Sequence, residues 1–172
     1  LLTRYHMQED RKVLVIVPTT SLVSQMASDF VEYNNGEQLD IHQIRGGVDK
    51  NVDAEITVTT WQSIYKLPKD WFQKFDVVVL AHVLSTTPNP NKILEEALNL
   101  LPTNGKIIIL NHFSNSPVAR FFEKLFQPVS KLFHFQSYFP LENLTALKNV
   151  RPVKALKFGV LNSYQLLVFE KP

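Results

Sequence analysis

The stretch FDVVVLAHVLSTTPNP, Phe75 to Pro90, decides how the chain is to be read. Its first half is an apolar, valine-rich run interrupted only by Asp76. Such a run suits a strand buried on both faces of a parallel sheet. Its second half turns to Ser, Thr, Asn and Pro, the composition of a loop. That loop then feeds NPNKILEEALNLL, a helix with Asn89 as cap and Pro90 at its first position. Strand, loop and helix in immediate succession are the repeating unit of an α/β sheet.

The same alternation extends in both directions. Upstream, KVLVIVP (12–18) is a second buried strand. TTSLVSQMASDFVEYNNG follows as a helix, capped by Thr19 or Thr20 and ended by Gly36. LDIHQIRGG and EITVTTW read as strands, and a short helical stretch breaks at Pro68. Downstream, GKIIILNHF is a strand and SPVARFFEKLFQPVSKLF a helix interrupted at Pro128. PLENLTALKNV reads as a short amphipathic helix. VKALKFGVL and SYQLLVFEK, separated at Asn162, close the chain as a hairpin.

The expected fold is a three-layer, doubly wound, Rossmann-like α/β sandwich with a mostly parallel sheet and a C-terminal antiparallel hairpin. The 172 residues suffice for a single α/β domain, 1–172. The formal charge of +2 is too small to argue for nucleic acid by itself. With no cysteine, disulfides and thiolate metal sites are ruled out. No apolar run reaches the length of a membrane span, and LLTRYHMQEDRK reads as the end of a helix rather than a signal peptide. The expected location is cytoplasmic.

Phosphate loops need glycines where backbone N–H groups approach a phosphate. The five glycines, Gly36, Gly46, Gly47, Gly105 and Gly159, begin neither G-x-x-x-x-G-K-[ST] nor G-x-G-x-x-G. A nucleotide-hydrolysing or dinucleotide-binding site of the usual kind is therefore not expected, and no cofactor, metal or catalytic residue is assigned.

VLVIVPTTSLVSQMASDFVEY resembles motif Ia of superfamily-two DNA helicases of the phage recombination type, with Pro18, Thr19, Leu22 and Gln25 in matching places. IRGG resembles that family's glycine doublet at Gly46 and Gly47. VTTWQSIYKLPKDWFQKFDVVV resembles motif Ib and the approach to motif II, through Thr59, Thr60 and Gln62. The resemblance covers residues 1–80. It implies loops that touch the backbone of single-stranded DNA, and an acidic pair where Ala81 and His82 stand.

Residues 75–172 resemble class I S-adenosylmethionine-dependent methyltransferases, and NHF with the aromatic helix and closing hairpin resembles the phosphatidylethanolamine methyltransferase group. Here FD opens the fourth strand, LLPTNGK replaces the usual Leu-Lys-Pro-Gly-Gly, and NHF ends the fifth strand. In that family a glycine-rich loop after the first strand carries the cofactor, whereas this chain has VPTTS. Ala81 to Thr87 are expected to supply one wall of any remaining pocket.

Together the two resemblances imply a chimera, designed or recombined, with its seam within 75–82 and strand order 2-1-3-4-5-7-6. The expectation is a scaffold that is not an enzyme. The alternatives are a weak single-stranded DNA or anion binder and a residual methyltransferase. The contacts of that binder would be Thr19, Thr20, Ser21, Gly46, Gly47, Thr60 and Gln62, beside a switch between strands 1 and 3. Thr59, Thr60 and Trp61 would form the other wall. His82 and His112 end neighbouring strands and are read as structural, because a metal site needs a third ligand. Asp76 is read as capping a turn. The Phe-rich stretch Phe121–Phe139, with Arg120, Lys124 and Lys131, suits a lipid surface or self-association. Its ordinary reading is a helix packed on the sheet with lysines outward.

Overall fold

The computed structural model describes residues 11–34, 38–114, 117–132, 138–159 and 163–172. The readings placed on residues 1–10, Gly36, Phe133, Phe135 and Asn162 lie outside the described residues.

The strands are β1 (Val13–Val17), β2 (Ile41–Ile44), β3 (Ile56–Thr60), β4 (Val77–Ala81), β5 (Lys106–His112), β6 (Arg151–Phe158) and β7 (Tyr164–Glu170). Five helices accompany them: α1 (Thr20–Glu32), α2 (Trp61–Ile64), α3 (Lys69–Gln73), α4 (Pro90–Leu100) and α5 (Pro117–Leu132). The strands form one sheet in the order β2-β3-β1-β4-β5-β7-β6. β1 to β5 run parallel, and β7 is antiparallel to both β5 and β6. This is the expected mostly parallel α/β sandwich with its closing hairpin.

The order differs from expectation at one place: β3, not β1, lies next to β2. The reason is side-chain chemistry. All five residues of β3 are buried, whereas β2 carries His42 and Gln43 and is only partly covered. A strand buried on both faces belongs inside the sheet, and the more polar strand takes the edge.

Two apolar layers sandwich the sheet. Val13, Val15, Val17, Ile56, Val58 and Val77 face α1, whose Val23 is fully buried and whose Leu22, Met26 and Phe30 pack beside it. Leu14, Ile16, Val78, Leu80, Ile107 and Ile109 face the opposite way, toward Ile64 of α2, Trp71 and Phe72 of α3, and Leu94, Ala97 and Leu98 of α4. Alternation along each strand sends neighbouring residues to opposite layers, as the pleat requires. Leu80 in β4 and Ile109 in β5 share one cluster with Leu14 and Ile16. One continuous core thus runs beneath both halves of the chain.

Two local readings are corrected. PLENLTALKNV forms two 3-10 turns, Leu141–Asn143 and Thr145–Asn149, instead of one helix. Asn91 explains the break: its amide donates to Asn143 O at 2.7 Å and its carbonyl accepts from Ala146 N at 3.3 Å. α5 is not interrupted at Pro128, which sits within the helix. α5 also does not pack on the sheet with its lysines outward. None of its described side chains enters either core cluster.

Candidate functional site at the carboxyl ends of β1, β3 and β4

β1 leads into α1 on one face of the sheet, and β4 leads into α4 on the other. The two strands are neighbours. The chain therefore diverges at β1 from both of its neighbours, from β4 and from β3, whose α2 also packs on the face opposite α1; the switch expected between strands 1 and 3 falls at this same place. Such a divergence opens a crevice beyond the strand ends. Here it holds a cleft of about 430 Å³. One wall is Val17, Pro18 and Thr19 with Trp61 and Gln62; the other is Val83, Thr86, Thr87, Pro88 and Ile93. The first wall comes from residues 1–80 and the second from the continuation beyond β4.

Thr19 adopts extended backbone geometry and caps α1, its Oγ1 accepting from Leu22 N at 3.4 Å. The same hydroxyl lies 2.9 Å from Ser21 Oγ. Thr20 and Ser21 are exposed on the first turn of α1, which holds no acidic side chain. The positive end of that helix is thus not neutralised locally. Thr60 is buried, with its hydroxyl 2.9 Å from Ser63 Oγ, so it braces the wall from behind. Thr59 is also buried and donates to Ile44 O at 3.3 Å, which ties β3 to β2. Gln62 is exposed in the cleft.

Gly46 and Gly47 form the turn after β2, outside the cleft lining, with open space around both. Gly47 has φ +80, a conformation that favours glycine. Arg45 beside them donates to Ser24 Oγ at 2.8 Å and anchors that turn to α1. The structure therefore brings Thr19 and Gln62 together, sets Thr20 and Ser21 on the adjoining helix start, and buries Thr60. Trp61 lines the cleft but on the same wall as Thr19, not the opposite one; Thr86 and Thr87, from the expected Ala81–Thr87 stretch, line the other wall. Ile93 was missed, because nothing in the sequence distinguishes it from a core-facing helix residue.

His82 and His112 do not line this cleft. Both rings meet Tyr164 edge-on, with centroids 5.9 and 5.7 Å away. His112 Nε2 lies 3.3 Å from Glu123 Oε1 on α5. Burial, reinforced by nearby His112, pushes the His82 imidazole below its ordinary range. His82 also has φ +59, in the left-handed region. No motif marked that strain. Among the described residues no group of three or more His, Asp or Glu is placed to hold a metal ion. Asp76 accepts from Lys12 N at 3.1 Å and so joins the starts of β4 and β1.

Comparison with known proteins gives two different signals. The family described as Type III restriction enzyme, res subunit, matches residues 1–109. The ATP-dependent DNA helicase uvsW of Enterobacteria phage T4 is 43% identical over 84 residues, covering 46% of this chain and 17% of the helicase. The chain thus spans well under a fifth of that relative's length. A putative methyltransferase from Bacillus halodurans C-125 shares the fold with a TM-score of 0.61 at 11% identity, covering 99% of this chain and 98% of its own. An O-methyltransferase family 2 protein from Planctomyces limnophilus DSM 3776 also gives a TM-score of 0.61, at 16% identity, with coverage of 94% and 51%. At such identities these likenesses establish the fold alone. Helicase-type similarity in the N-terminal part with a methyltransferase-like fold over the whole chain is consistent with a chimera of the two.

The expectation that the chain is not an enzyme is overturned, because the matched family is an enzyme family. That expectation rested on the absent glycine-rich loops and on the missing acids at Ala81 and His82. The match runs through these positions and continues across α4 into β5, so their loss does not take the chain out of the family.

Proposed function

The chain belongs to the type III restriction enzyme res subunit family, and from that membership we propose that it is a DNA-engaging part of a helicase-type enzyme. Its cleft between β1 and β4 takes single-stranded nucleic acid. We further infer that it joins a helicase-type N-terminal part to a methyltransferase-type C-terminal part, with the seam within Phe75–His82.

One observation carries the binding reading. Two segments distant in sequence, the loop Pro18–Thr19 and the start of α2 at Trp61–Gln62, line one cleft at the start of α1, whose first turn holds no acid. Hydroxyls, loop N–H groups and a helix N-terminus are suited to phosphate oxygens. The partly buried indole of Trp61 in the same wall offers its exposed edge as a stacking surface for a base. Outside the cleft lining, the open turn of Gly46 and Gly47 with exposed Arg45, anchored to α1 through Ser24, offers a cation and accessible backbone for a strand that runs beyond the cleft. Sequence-independent contact of this kind is salt-dependent, with a slope of about −0.7 per phosphate neutralised on a single strand.

Fluorescence anisotropy of a labelled 15-nucleotide single strand at 50 and 200 mM salt tests the proposal. The expected result is binding that weakens several-fold at the higher salt, and that weakens further in the Gln62→Ala and Arg45→Ala variants. Absence of salt-sensitive binding at 100 µM protein would contradict it.

A further inference from the structure

α5 is inverted with respect to the rest of the molecule. Arg120, Glu123, Gln127 and Ser130, spaced three and four apart, form its less exposed stripe, and Ser130 is only 4% exposed. Phe121, Phe122, Leu125, Phe126, Val129 and Leu132 occupy the opposite arc and range from 53% to 76% exposed. Polar contacts hold the inward stripe. Arg120 donates to Ser114 O and to Glu142 Oε1, both at 2.8 Å, and Glu123 meets His112. An amphipathic helix ordinarily turns its apolar stripe to the core. Here that stripe is left for something outside the chain.

We propose that the occupant is a second copy of this chain, paired antiparallel through α5 about a two-fold axis near Leu125 and Phe126. Three observations favour it. First, the six side chains leave roughly 600 Å² of apolar surface exposed, at the top of the range for a monomer's largest patch. Two such faces buried together give roughly 1,200 Å², the lower bound of a specific interface.

Second, the arc is self-complementary. A two-fold axis at its centre sets Phe121 and Phe122 of one copy against Leu132 and Val129 of the other, large rings against smaller side chains. A closed isologous contact needs this match.

Third, Arg120 and Lys124, the described cations on the helix, are engaged within the chain. Arg120 pairs with Glu142, and Lys124 lies over the Tyr138 ring at 4.8 Å. A lipid-surface helix instead keeps its cations free for headgroups. The other exposed apolar element, edge strand β6, carries Pro152, Lys154, Lys157 and an irregularity between Pro152 and Lys154. These features obstruct strand-to-strand association. α5 carries no comparable obstruction on its outer arc.

Sedimentation equilibrium from 5 to 200 µM tests the proposal, alongside a Phe122→Glu, Phe126→Glu double variant. Because the chain has no cysteine, oxidation of a Leu125→Cys variant reads the geometry directly, with Ser28→Cys on α1 as control. The expected result is twice the chain mass at the higher concentrations, and a monomeric double variant with an unchanged circular dichroism spectrum. Leu125→Cys should form a covalent dimer at least ten-fold faster than Ser28→Cys. A monomer throughout, an open-ended series of larger species, or equal crosslinking of the two cysteine variants would overturn the proposal. So would a monomer that sediments with anionic vesicles, which would assign the face to lipid.

Discussion

α1 and α5 are both amphipathic helices of similar length, and they use their apolar faces in opposite ways. α1 lays Leu22, Val23, Met26 and Phe30 on β1 and β3, and its polar side faces water. α5 points Phe121, Phe122, Leu125 and Phe126 outward and holds the domain by polar contacts. Amphipathicity alone therefore does not say which side of a helix meets the sheet. The polar anchors decide it. Around α5 these are His112 and Ser114, just before the helix, and Glu142, beyond it.

The largest expected effect breaks this comparison directly. Val23→Asp places an uncompensated carboxylate in a fully buried position of α1. It should cost on the order of 4 kcal/mol or more in urea unfolding. Phe126→Asp on α5 should change the stability of the dilute protein by no more than about 0.5 kcal/mol. Equal losses in the two variants would show that α5 is packed like α1.

A smaller effect concerns α4, whose stripe is buried like that of α1 but whose last turn holds no basic residue. Lys171, from the far end of the chain, reaches Leu101 O at 2.6 Å. This bond closes a carbonyl that the helix leaves open. Lys171→Met should cost about 1 kcal/mol by thermal unfolding. A neutral result would mean that water serves the carbonyl equally well.

The smallest effect is read through pH. The His82 imidazole sits below its ordinary value of 6.5 because of burial and then His112. The unfolded state therefore binds the proton more readily. The stability contribution is full above about pH 6.5 and is lost as pH falls below it. His82→Asn tolerates the positive φ and removes the titrating group. The variant should lose less stability than the parent between pH 7 and 5.5, by some tenths of a kcal/mol. Parallel pH profiles would contradict this.

Much of the fold was legible because buried strands announce themselves. VLVIV, FDVVVLA and KIIIL read correctly from their continuous apolar runs, and Asn89–Pro90 marked the start of α4. The β1/β3 exchange was not legible. It depends on comparing the polarity of β2 with that of β3, not on recognising either strand. The break in the 140–150 segment was hidden because Asn91, some fifty residues earlier, supplies the bonds that cause it. In the candidate site, capping by Thr19 or Thr20 followed from local pattern, and a wall at Ala81–Thr87 from the methyltransferase resemblance. The burial of Thr60 behind the wall and the distance of Gly46 and Gly47 from the cleft depend on how loops fold over the sheet edge.

The central claim is that the cleft at the β1/β4 switch, with one wall from each part of the chain, receives single-stranded nucleic acid. The chain has two tryptophans. Trp61 lines the cleft, whereas Trp71 is buried with its Nε1 donating to Lys50 O at 2.7 Å. Titrating an unlabelled thymidine 15-mer while following tryptophan emission at low salt therefore tests the claim most directly. Saturable quenching that is reversed by salt and absent in Trp61→Phe is the predicted result. Quenching that persists in Trp61→Phe, or oligonucleotide binding with no change in wild-type emission, would place the nucleic acid elsewhere and contradict the account.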